Sequence, residues 1–177
     1  MGLFSMTHDC NPPNVYDAEA IPAKVRSEIE LLLQSGDLFR YTRKSDAPVT
    51  LLEQEFADML GCKFALAVSS CSAALFLSLK ALDLPAKAKI LIPAFTFAAV
   101  PSAVVHADCE PVLVEVASNF RVDIDDFKKK LTSEISAVLI SHMRGHTSDM
   151  DQIMTLANAA GVPVIEDAAH SLCTQWG

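Results

Sequence analysis

The residues best suited to chemistry stand together in Val164-Ile165-Glu166-Asp167-Ala168-Ala169-His170-Ser171. Two carboxylates directly after a buried apolar strand are costly unless each is compensated. A bound cation or a protonated heteroaromatic ring would supply that compensation. Three further segments carry groups of matching kind. Ser69-Ser70-Cys71-Ser72-Ala73-Ala74 sets small residues at a helix opening, which offers free backbone amides and a hydroxyl to a phosphate; the same residues also make an ordinary serine cap. Pro93 to Ala99 holds Phe95 and Phe97, aromatics that could stack on a planar ring, Phe95 being the one expected in the core. In Ser141 to His146, His142 could face a site, although a lone loop histidine is more often simply hydrogen-bonded or solvated.

The elements that must position these groups follow from periodicity. Pro22 opens a helix that carries Val25, Ile29, Leu32 and Leu33 at helical spacing and stops at Gly36. Thr50 and Glu53 form an expected capping box ahead of Leu52, Phe56, Met59 and Leu60, with Gly61 closing that helix. From Phe64 onward short apolar runs alternate with helices, and five strands are expected: Ala65 to Ser69, Lys89 to Ile92, Pro111 to Val116, Ser136 to Ile140 and Pro163 to Glu166. Near-continuous apolar strands separated by helices predict an α/β fold, a three-layer, mostly parallel sheet flanked by helices. The helix Ser72 to Leu82 is apolar almost all round, as a helix pressed between layers should be. Ser148 or Asp149 caps another helix, with Met150, Ile153, Met154 and Ala157 on one face. Asp123, Asp125 and Asp126 at one helix start and Lys128 to Lys130 near its end match the helix dipole and carry no chemistry. Ligands in open parallel sheets lie outside the carboxyl ends of the strands, so the loops after Ser69, Ile92, Ile140 and Glu166 should line one rim. Residues 1–61 read as an N-terminal helical lead-in and residues 62–177 as part of a large α/β domain.

Composition narrows the classes. The 177 residues, 51% of them hydrophobic, suffice for a buried core. With 14 basic against 22 acidic residues the net charge is -8, and no basic run exceeds Lys128-Lys129-Lys130, so nucleic acid is not an expected partner. The five cysteines form no CxxC pair, which favours reduced thiols over a disulfide framework or a zinc site. Neither a signal-peptide core nor a bilayer-spanning stretch is present in the sequence, and a soluble, cytoplasmic protein is expected. Neither GxGxxG nor a GKS/GKT phosphate loop occurs.

The four rim segments, in this order and spacing, resemble those of the DegT-type sugar aminotransferases, pyridoxal-phosphate-dependent enzymes of the aspartate aminotransferase fold (fold type I), from about Ile21 to Gly177. The most specific piece is Glu166 to Ser171, supported by Ser70 to Leu75, Pro93 to Ala99 and His142 to Asp151. The resemblance implies pyridoxal 5'-phosphate as cofactor and no metal. It implies that Asp167 pairs with the pyridine nitrogen and His170 hydrogen-bonds the phenolic oxygen, as the catalytic pair. Phe97 would stack on the ring, while the amides of Cys71 and Ser72, with the Ser72 hydroxyl, would hold the phosphate. Cys71 stands where the family usually has glycine, but an amide survives there.

Family members bind the cofactor covalently through a lysine downstream of the aspartate motif, whereas the nine lysines here end at Lys130. The chain is therefore expected to be the amino-terminal part of a longer protein and inactive alone. The implied activity is transfer of an amino group from a glutamate-type donor onto a nucleotide-linked keto sugar, by a homodimer. The alternatives are a sugar dehydratase of the same family that uses the pyridoxamine form, or a non-catalytic cofactor-binding or dimerisation module.

Overall fold

The computed structural model describes residues 18, 20–39 and 46–176. His8 and Cys10 lie outside them. The chain divides into two compact units, Met1–Leu52 and Glu53–Gly177. In the first, helix α1 (Ala23–Ser35) follows Pro22 and ends at Gly36 in the left-handed region, whose amide reaches back to the Leu33 carbonyl. Helix α2 spans Pro48–Leu60, beginning three residues earlier than a Thr50 cap implies, so Thr50 is its third residue and not its cap. Proline suits a first helical turn because its missing N–H would find no intrahelical partner there.

The second unit is a parallel sheet with helices on both faces. Its elements are α3 (Cys71–Ala81), β1 (Lys89–Pro93), α4 (Ala99–His106), β2 (Glu110–Val114), α5 (Ile124–Lys130), β3 (Ile135–Ser141), α6 (Met150–Ala160) and β4 (Val164–Asp167). The strands order as β2-β1-β3-β4, all pairs parallel. Side chains alternate across a strand, so one sheet needs two cores. Ile90, Ile92, Ala137 and Leu139 pack against Leu75 and Leu79 of α3 and Val100, Ala103 and Val104 of α4. Leu91, Val138 and Ile140 pack on the other face against Phe127 of α5 and Ile153 of α6. This double burial accounts for the near-continuous apolar runs of β1 and β3 and establishes the three-layer α/β fold.

Local signals act as their chemistry requires. Asp123 caps α5 by accepting from the Asp125 and Asp126 amides at 2.9 and 3.0 Å. Asp149 caps α6 through the Gln152 amide at 3.0 Å, while Ser148, the other candidate, is buried and accepts from the Val122 amide. Met154, grouped by spacing with the buried face of α6, is partly exposed.

Four of the five expected strands form; Ala65 to Ser69 does not. This stretch has no strand partner among the described residues, and Phe64 and Leu66 are exposed. An apolar run becomes a strand only where a neighbour completes the ladder, and here the Ala67 amide instead meets Glu53 Oε1 at 2.7 Å. Among the described residues no helix is long and apolar enough to cross a membrane, no cluster of acidic, histidine and cysteine side chains could hold a metal ion, and Cys62, Cys71, Cys109 and Cys173 are free thiols.

Candidate functional site

The carboxyl ends of β1, β3 and β4 and the start of α3 surround a cavity of about 270 Å³. All five residues singled out from the sequence line it: Cys71, Ser72, Phe97, Asp167 and His170. Ser141 and His142 complete its wall between the two sheet strands.

Asp167 is the last residue of β4 and only 7% exposed. Alternation places it on the same side of the sheet as Ile165, which packs on the α3 core, and sends Val164 and Glu166 to the other. Register then decides its partner: Ser141 of β3 pairs with Asp167, and the serine hydroxyl donates to Oδ2 at 3.0 Å. Oδ1 accepts from the Ala169 amide at 3.2 Å and from the Cys71 thiol at 3.6 Å. Every donor is neutral, and among the described residues no lysine or arginine pairs with this carboxylate. On its α3 side, partial burial, then the charge of Asp167 and its hydrogen bond, holds the Cys71 thiol above the usual thiol range.

Helix α3 presents its amino end to the same cavity. Ser70 is extended at the cap position; its Oγ accepts from the Ala73 amide and its carbonyl accepts from the Ala74 amide. The first-turn amides of Cys71 and Ser72 have no intrahelical acceptor, the usual condition of a helix start. Phe97 is 63% exposed and presents its ring to the cavity, whereas Phe95 is half-buried against Phe120, ring centroids 4.9 Å apart.

His170 Nδ1 accepts from the Arg144 amide at 3.1 Å. His142, open from sequence to being a solvated loop histidine, is 3% exposed; its Nε2 donates to Glu166 Oε2 at 2.9 Å and its amide to the Asp167 carbonyl at 3.1 Å. Its Nδ1 is buried without a partner. Glu166, the second costly carboxylate of the motif, is thus matched to a histidine and half-exposed. Two residues escaped the sequence reading: Ser141, detectable as the last residue of an apolar strand parallel to the one ending in Asp167, and Arg144, whose contribution is a backbone amide that no residue type advertises.

The arrangement combines helix-start amides, an exposed aromatic face and a buried acceptor that pairs with no lysine or arginine among the described residues, all around one cavity. Comparison with known proteins identifies the family. The profile of the DegT/DnrJ/EryC1/StrS aminotransferase family matches residues 22–177. Spore coat polysaccharide biosynthesis protein SpsC of Bacillus subtilis is 32% identical over 162 residues, covering 91% of this chain and 40% of that protein. GDP-perosamine synthase of Vibrio cholerae is 31% identical over 123 residues, covering 69% and 34%. The aminotransferase from Psychrobacter cryohalolentis superposes with a TM-score of 0.78 at 28% identity, covering 85% of this chain and 38% of that one. The chain thus spans well under half the length of the relatives it matches. It belongs to the DegT/DnrJ/EryC1/StrS aminotransferase family.

Proposed function

We propose that this cavity binds pyridoxal 5'-phosphate and that the full-length protein is an aminotransferase acting on a nucleotide-linked keto sugar with a glutamate-type amino donor. The observation that carries the reading is Asp167: a buried carboxylate held by neutral donors, with no protein cation beside it among the described residues. Such a group needs a positive partner, and a protonated pyridine nitrogen fits. The Cys71 and Ser72 amides, with the Ser72 hydroxyl, would hold the phosphate at the α3 start. Phe97 and His170 line the cavity, where Phe97 would lie against the ring face and His170 would hydrogen-bond the phenolic oxygen. When bound, the cofactor supplies an electron sink for the carbanion that amino transfer creates. Asp167 keeps the ring-nitrogen proton in place, and Ser141 keeps Asp167 oriented.

Membership of an aminotransferase family supports the reaction class, and the nucleotide sugar in the name of the Vibrio cholerae relative supports the substrate class. No lysine follows Lys130 in this sequence, so the role proposed for these residues is binding and orientation. The full-length protein is expected to be a homodimer. Titrating it with pyridoxal phosphate should produce a saturable visible absorbance distinct from that of the free compound. Asp167→Ala should abolish turnover and weaken binding; a variant with unchanged turnover and affinity would exclude the assignment.

A further inference from the structure

The loops after β3 and β4 meet at His170, and their contact fixes how that histidine can hydrogen-bond. The Arg144 amide lies 3.1 Å from His170 Nδ1. A backbone N–H only donates, so Nδ1 must offer its lone pair, and a neutral imidazole then carries its single hydrogen on Nε2. The turn that delivers this amide is unusual. Arg144 has φ 56° and ψ 25°, and Gly145 follows at φ 77°, two successive residues in the left-handed region. That region is uncommon for a side chain such as arginine and costs glycine little. The turn is closed by the Gly145 amide on the His142 carbonyl at 3.0 Å and the His146 amide on the Met143 carbonyl at 3.1 Å. Gly145 also leaves room for the same residue's backbone: a Cβ there would lie 3.2 Å from the His170 carbonyl oxygen.

We propose that the Arg144–Gly145 turn is the positioning element of His170, locking the tautomer with hydrogen on Nε2 so that the residue meets its ligand as a donor. The ligand atom at that point must then be an oxygen acceptor. This rests on His170 facing the bound cofactor, where the phenolic oxygen is such an acceptor. Arg144 contributes its amide and its turn, not its guanidinium, and Gly145 contributes the space and the conformation. The two residues act through His170 and are positioning residues.

The test is long-range ¹H–¹⁵N NMR of the imidazoles in the full-length, cofactor-free protein, with His170→Gln identifying the resonances. Wild type should show His170 as the Nε2–H tautomer alone; an Nδ1–H tautomer overturns the proposal and requires no folded variant. Arg144→Gly keeps the amide and suits the left-handed conformation, so the tautomer should persist. Gly145→Ala should mix the tautomers and weaken pyridoxal phosphate binding by about tenfold, the scale of one lost hydrogen bond. Retention of both the pure tautomer and full affinity in Gly145→Ala would overturn the positioning role. Should the wild-type protein hold the expected tautomer yet bind no pyridoxal phosphate, the cofactor assignment falls and the tautomer lock stands.

Discussion

The thiol of Cys71 donates to Asp167 Oδ1 across 3.6 Å, tying the first residue of α3 to the last residue of β4. Ninety-six positions of sequence separate the two residues, and the contact joins the helix start proposed to hold a phosphate with the carboxylate proposed to pair with a ring nitrogen.

Chemical reactivity should report this contact. A thiol held above its usual range contains less thiolate at neutral pH, and the thiolate is the nucleophile. Cys71 remains solvent-reachable, yet iodoacetamide should modify it more slowly than an unstructured cysteine peptide near neutrality, its rate levelling off only at a pH above that at which the peptide's does. Partial burial is the largest cause and Asp167 the next, so Asp167→Asn should speed labelling without restoring the peptide rate. Peptide mass spectrometry across pH gives the rates; labelling of Cys71 at the peptide rate at neutral pH would count against the contact.

Ser141→Ala should remove one donor from a buried carboxylate and lower stability by about 1–3 kcal/mol, because the acceptor loses a partner it cannot replace with water. Urea unfolding of the full-length protein measures this, and pyridoxal phosphate affinity should fall in the same variant as Asp167 loses its orientation. Ser141→Thr keeps the hydroxyl and should recover most of the affinity.

Phe127 is fully buried beneath the sheet among Leu91, Val138 and Ile140. Phe127→Ala should cost about 3–5 kcal/mol through lost burial and the cavity left behind. The unfolding midpoint should drop sharply while Cys71 labelling in the folded protein is unchanged, since Phe127 packs on the sheet face opposite α3.

Most of the helices and four strands of the fold were legible in the residues themselves. Caps such as Asp123 and Asp149 bond amides two or three positions away, and apolar runs buried on both faces announce a parallel sheet without reference to anything distant. The positions of Asp167 at a strand end and of Ser70 before a helix are likewise local facts, and the five lining residues were named through the family resemblance that these segments carry. What local pattern could not supply is pairing. Ala65 to Ser69 has the composition of a strand and finds no ladder neighbour among the described residues.

Asp167 owes its bond with Ser141 to the register of β3 against β4, and a shift of one residue would turn that hydroxyl to the other face. His142 could equally have been a surface residue; its burial and its bond to Glu166 come from two loops folding together. The tautomer of His170 hangs on a backbone amide 26 positions away, a donor common to every residue but proline. Sequence alone determined which chemical groups stand at the ends of which elements, because propensity and periodicity act over a few residues. Only the tertiary structure decided which of those groups meet, because register and loop packing are set by burial across the whole sheet.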